Sequence, residues 1–253
     1  MKRKSTIRRL EAVGHRKGIG MCCNWSEGKQ SRRHWLAGIT AGGIVAAGAV
    51  GPSVARATES PTAGMGPRDA LDFLYAGNKR FAAGESAAPN RDISRLRAVA
   101  PRQSPFAAFL GCADSRVPIE IVFDQGFGDL FVTRIAGNVA ATENIASLEF
   151  ATQVLGARVL YVLGHTSCGA VAAAAKAEPV PGQISALFQH IRPAIRAAKG
   201  DPVAAVRENV RIQAQTLVEA STVISSLVTA GKVLVAGGVF DLESGRVQPI
   251  DLG

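Results

Sequence analysis

From residue 106 onward, short unbroken apolar runs alternate with longer stretches in which apolar residues return every three or four positions. The runs at 106–111 (FAAFLG), 129–135 (DLFVTRI), 158–163 (RVLYVL) and 232–239 (KVLVAGGV) are too short for helices. They read as strands, and the run at 106–111 suits a buried one. Between and around them, 142–155, 168–177, 184–198 and 202–227 carry helical spacing. Glu143 falls in the first turn of the 142–155 segment, at the positive end of its dipole. A turn at 241–245 leads to a short final strand. Nearer the front, 67–81 has Ala70, Leu71, Phe73, Leu74 and Phe81 near helical spacing, with Gly77 interrupting. Residues 82–94 are polar and read as a loop.

Strands alternating with helices define an α/β fold: a mostly parallel central sheet flanked by helices, with an N-terminal helical arm at 67–81. Its crossovers should be right-handed. The polar clusters that end the runs at 111 and 163 then lie beyond the carboxyl edge of the sheet, where open parallel sheets place their sites. No segment after residue 57 is long and apolar enough to span a bilayer.

Charge changes the picture only at the N-terminus. Residues 1–57 hold eleven Lys/Arg and two Asp/Glu, which is the whole net charge of +9. The remainder carries eighteen of each sign, so no nucleic-acid partner is inferred. Ser31-Arg32-Arg33-His34-Trp35-Leu36 resembles a twin-arginine export motif, a Gly/Ala-rich apolar stretch follows, and Ala55-Arg56-Ala57 fits a cleavage site. The expected organisation is a removable signal at 1–57, a Pro/Gly/Ser/Thr-rich linker at 58–66 and a catalytic domain at 67–253. Export implies a periplasmic or otherwise external location. A start at Met21 would leave a leader of ordinary length.

Cys22 and Cys23 go with the leader, so the mature chain keeps only Cys112 and Cys168. In an exported protein a lone pair fits one structural disulfide. Here each cysteine follows a predicted strand inside a polar cluster, and His165 stands beside the second, which favours zinc. Three ligands, Cys112, His165 and Cys168, leave a fourth tetrahedral position open for a water that the metal activates. Cys168 also lies near a helix start, where the dipole favours a thiolate. Asp114 and Arg116, two and four residues after Cys112, are close enough to work beside the metal. A bidentate pairing would hold the carboxylate in one orientation.

Cys112-Ala113-Asp114-Ser115-Arg116-Val117, Gly128-Asp129-Leu130-Phe131-Val132 with Arg134, and Gly164-His165-Thr166-Ser167-Cys168-Gly169 together resemble the beta-class carbonic anhydrases. The likeness runs from about Ala70 to the C-terminus and includes 77–81 (GNKRF), 208–210 (ENV) and 238–241 (GVFD). It implies one zinc per subunit on Cys112, His165 and Cys168, with reversible hydration of carbon dioxide to bicarbonate and a proton. It implies an Asp114–Arg116 dyad that keeps the aspartate off the metal, although in some members that aspartate takes the fourth position. It implies that Gln103 donates to a substrate oxygen and that Phe131 and Phe150 line an apolar pocket. Phe150 stands where the family usually has Tyr, and Ile135 where it usually has Asn. A homodimer or dimer of dimers is implied, with the N-terminal helix packing on a neighbour. Other readings of the same residues are hydrolysis of carbon disulfide or carbonyl sulfide, and a non-catalytic zinc- or bicarbonate-binding homologue. His190 reads as a packing or surface histidine, and 126–128 (GFG) as a turn rather than a phosphate loop.

Overall fold

The computed structural model describes residues 64–176 and 178–253. The expected leader and residues 58–63 of the expected linker lie outside them. Five strands form one sheet: β1 (Ala107–Gly111), β2 (Leu130–Arg134), β3 (Val159–His165), β4 (Leu234–Phe240) and β5 (Val247–Pro249), in the order β2-β1-β3-β4-β5. The first four run parallel and β5 is antiparallel. Among the described residues no helix is long and apolar enough to cross a membrane.

The helices are α1 (Pro67–Ala82), α2 (Ile93–Val99), α3 (Ile119–Val122), α4 (Thr142–Glu149), α5 (Gly169–Lys176), α6 (Ser185–Ala197), α7 (Pro202–Ala220) and α8 (Thr222–Thr229). Alternate strand residues face opposite layers, as the strand period requires. Ala108, Leu110, Leu160 and Val162 join one apolar cluster with residues of α4 to α8. Ala107, Phe109, Val159, Tyr161 and Leu163 join a second with α1 and α3. Two-sided burial explains why β1 and β3 read as unbroken apolar runs.

Four local expectations need correction. Gly77 does not interrupt α1: a Cβ there would sit 1.9 Å from the Phe123 carbonyl oxygen, so the glycine lets α1 press against the end of α3. The helix expected over 142–155 is α-helical only to Glu149 and continues as a π-helical segment, Phe150–Val154. There the Thr152 hydroxyl donates to the Leu148 and Glu149 carbonyls. The helix expected over 202–227 breaks at Ser221, which is extended and caps α8 by accepting from Ile224 N at 3.0 Å. The polar stretch 82–94 ends in the start of α2, capped by Asp92.

Ala70, Leu71 and Leu74 of α1 are buried against the chain's own sheet. The loop after α1 is pinned as well. Asp124, fully buried, accepts from Arg80 Nε at 2.8 Å, Ala87 N at 3.0 Å and Ala88 N at 2.9 Å, with Arg91 at 3.3 Å. Burial alone would raise its pKa, but Arg80 and the two N–H groups more than offset that and hold it below the usual carboxylate value. Asp129 accepts two bonds from Asn90 Nδ2 and one from Gly126 N.

Candidate metal centre

β1 and β3 are neighbours in register, Gly111 beside Leu163, so the chain leaves both strands at the same edge of the sheet. Cys112 follows β1 directly and His165 ends β3. Ser167 takes the left-handed conformation (φ 55°), and the tight turn returns Cys168 to the N-terminal edge of α5. The ligand atoms of Cys112, His165 and Cys168 all lie within 4.8 Å of one another, and all three residues are buried.

The donor chemistry suits a thiophilic divalent cation. His165 Nδ1 lies 2.9 Å from the Thr166 carbonyl oxygen and acts as the donor there. That leaves Nε2 as a free lone pair, fully buried and without a hydrogen-bond partner. A buried orphan nitrogen beside two sulfurs costs stability unless something coordinates it. The Cys112 thiol is pulled well below the ordinary thiol range, first by its hydrogen bond with Cys168, then by His165 and the Gly137 N–H, against the opposing effect of burial. Cys168 is pushed up correspondingly by the same hydrogen bond. Zinc fits this thiolate–thiol–imidazole set and would displace the remaining thiol proton.

Asp114 and Arg116 pair with each other. Arg116 Nε donates to Asp114 Oδ1 at 2.9 Å and Arg116 Nη2 to Oδ2 at 2.8 Å, while the Arg116 backbone N–H also donates to Oδ1 at 2.9 Å. Arg116 keeps the Asp114 carboxyl well below the usual carboxylate range. The same guanidinium reaches the Ser167 carbonyl at 3.3 Å, joining the two metal loops. Asp114 Oδ2 lies 3.7 Å from His165 Nε2, so the carboxylate borders the donor cluster. Arg134 fixes the first loop from below by donating to the Cys112 carbonyl at 2.9 Å and to the Asp114 carbonyl.

The three expected pocket residues lie differently. Gln103 is exposed on the segment ahead of β1. Phe131, on edge strand β2, and Phe150, at the start of the π-helical segment, are paired with ring centroids 6.5 Å apart. Phe150 is 46% exposed, so this aromatic pair is a surface rather than a closed pocket wall. A cavity of about 280 Å³ adjoins Thr166, Ser167 and Cys168 and is walled by Val171, Val206 and Val239, with none of Gln103, Phe131 or Phe150 in its lining.

Sequence reasoning missed the supports of Cys112. Gly137 N donates to Cys112 Sγ at 3.3 Å, and Asn209 and Gln213 of α7 hold the 137–140 turn. The available signal was two carboxamides four residues apart on the apolar face of α7, beside Ala205, Val206, Val210, Ala214 and Leu217.

Comparison with known proteins shows the family. The carbonic anhydrase family profile matches residues 107–247. Carbonic anhydrase 2 of Mycobacterium tuberculosis (strain ATCC 25618 / H37Rv) is 36% identical over 188 residues, covering 71% of this chain and 91% of the relative. Among solved structures, the Coccomyxa beta-carbonic anhydrase in complex with acetazolamide is 27% identical with a TM-score of 0.57, covering 71% of this chain and 85% of that one. A tetrameric beta-carbonic anhydrase from Sordaria macrospora shares the fold at 20% identity and a TM-score of 0.55, covering 72% of this chain and 96% of its own. The chain belongs to the carbonic anhydrase family and is an enzyme of its beta class, whose general reaction is the hydration of carbon dioxide.

Proposed function

We propose that this protein hydrates carbon dioxide reversibly to bicarbonate and a proton, using one zinc per subunit held by Cys112, His165 and Cys168. The observation that carries this reading is the buried, unpartnered His165 Nε2 beside two thiol sulfurs, bordered by a carboxylate tied to Arg116. Zinc, when bound, supplies a Lewis acid that makes water nucleophilic near neutral pH. The rest falls to the chain. Arg116 occupies both Asp114 oxygens and so restrains the carboxylate from swinging onto the metal. Asp114 Oδ2 accepts a hydrogen bond from the attacking water and turns its lone pair towards the substrate carbon. The water oxygen bonds to that carbon, its proton passes to solvent, and bicarbonate leaves.

Carbon dioxide is uncharged, so apolar walls suit it better than charged ones. Phe131 and Phe150 present such an apolar surface, and Gln103 can donate to a substrate oxygen. Their exposure supports a homodimer or dimer of dimers in which one copy's aromatic face completes its neighbour's site. The Sordaria macrospora relative is itself described as tetrameric.

The test is zinc content and carbon dioxide hydration by the purified protein, beside its Cys168→Ser variant. A zinc-replete wild type that turns over carbon disulfide or carbonyl sulfide but not carbon dioxide would replace the substrate. A wild type that binds zinc and turns over none of the three would leave a binding protein only. We also propose export of the folded protein with cleavage after Ala57, supported by Arg32-Arg33 and 55–57 (ARA). Arg32→Lys with Arg33→Lys should retain it inside the cell, and normal export of that double variant would remove the assignment.

A further inference from the structure

The metal-site reading leaves one buried polar system unused. Asn209 and Gln213 lie on the inner face of α7, at 1% and 2% exposure. Neither is needed by the helix, whose N-terminus is already capped by Asp201. Both spend their hydrogen bonds on a distant turn. Asn209 Nδ2 donates to the Gly137 carbonyl at 2.8 Å, and Gln213 Oε1 accepts from Ala140 N at 2.8 Å. Gln213 Nε2 donates to Asn209 Oδ1 at 3.2 Å and to the His190 carbonyl at 3.0 Å, so the two carboxamides brace each other.

The sheet is shaped to let them reach. A Cβ on Gly164 of β3 or Gly237 of β4 would lie 2.7 Å from a methyl of Val210. Two bare strand positions therefore let α7 settle close to the sheet at the residue next to Asn209. The turn it grips is demanding: Gly137 and Asn138 both take positive φ, 75° and 43°. At one end of that turn, Gly137 N–H points at Cys112 Sγ, 3.3 Å away.

We propose that Asn209 and Gln213 are positioning residues for the metal centre: they fix the 137–140 turn so that the Gly137 N–H donates to the Cys112 sulfur. An N–H on a ligating sulfur withdraws electron density from it, weakens its donation and leaves the metal a stronger Lewis acid. Such outer partners orient ligands and tune the metal as the ligands themselves do. The inference rests on the reading that Cys112, His165 and Cys168 hold a divalent metal.

Cobalt(II) in place of zinc gives a direct readout, because the energy of the sulfur-to-cobalt charge-transfer band reports electron density on the thiolates. In Asn209→Ala the band should move to lower energy as the sulfur loses its N–H partner, and, because the loosened 137–140 turn no longer holds Cys112 in place, release of the metal to a chelator should quicken by about tenfold. Asn209→Leu roughly keeps the volume and has no donor for the Gly137 carbonyl; it should shift the band in the same direction and stands in if the alanine variant fails to fold. Ser221→Ala is the matched control, since it breaks buried bonds at the α7–α8 junction away from the metal. It should lower thermal stability and leave the band in place. An unmoved band in folded Asn209 variants, or an equal shift in Ser221→Ala, would overturn the positioning role while leaving the metal site standing. A wild type that takes up neither cobalt nor zinc would overturn both.

Discussion

The metal loops and the aromatic face are built to different degrees of completion. At the carboxyl ends of β1 and β3 every donor is buried and braced by the same chain: Arg116 ties Asp114, Arg134 ties the 112–114 backbone, and α7 ties the Gly137 turn. At the β2 edge, the Phe131 and Phe150 rings meet at a tilt of 50° with one side open to solvent, and Gln103 stands exposed. Elsewhere in the chain, Asp124 and Asp129 anchor the connection between α1 and α2 with buried carboxylates. The difference teaches that the metal half of the site is contained in one chain. The surface proposed to receive an apolar substrate has one side open to solvent.

The sharpest way to break that comparison is at the donors. Cys168→Ser should lose most of the zinc and all measurable hydration; full occupancy measured by metal analysis would remove Cys168 from the ligand set. Arg116→Ala comes next. Freed from its partner, Asp114 should move onto the metal, giving a folded, zinc-replete and silent protein, and wild-type rates at every pH would show that the dyad holds nothing open. Asp114→Asn should retain zinc but lower kcat by about ten- to a hundredfold, since an amide oxygen accepts without charge and orients water less well.

The aromatic face offers a milder test. Phe150→Asp should leave zinc content unchanged, shift sedimentation towards the monomer and reduce kcat/KM. A fully active monomer would show that the face completes no site. The smallest effect on activity is expected at Asp124. Its folded pKa is depressed, so its contribution to stability is full above about pH 4, near the unfolded carboxylate value, and drains away as pH falls towards the folded value. Asp124→Asn should cost about 1–3 kcal/mol at neutral pH and flatten the acid limb of a melting-temperature profile. A variant whose profile matches wild type would show that the carboxylate does not anchor this connection.

How far the chain could be read from its letters follows the same division. The central strands β1 and β3 were legible because burial on both faces leaves unbroken apolar runs, while the edge strand β2 is only half-buried. The donor set was legible because cysteine and histidine are scarce and each followed such a run. The π-helical segment was not, since it depends on the Thr152 hydroxyl competing for carbonyls while the apolar spacing continues through it. The break at Ser221 was hidden for a similar reason: Leu217 and Ile224 keep helical spacing on either side of it. The packing of α1 was misjudged because Gly77 looked like a weakness, when it is the contact point with Phe123. Asn209 and Gln213 escaped because periodicity counts apolar residues, and a buried carboxamide leaves a gap in the pattern that looks like solvent.

The parallel pairing of β1 with β3 has a kinetic consequence. Cys112 meets His165 and Cys168 only after strands more than fifty residues apart along the chain have found their register. Such long-range pairing forms slowly, because the entropy of closing the intervening loop is lost before any contact repays it. All three donors therefore gather only once β1 and β3 have paired, and before that a metal would meet only His165 and Cys168 close together in the chain. Acquisition of tight metal affinity during refolding should coincide with the last cooperative consolidation of the sheet, which makes the centre an internal clock for the arrival of the native topology.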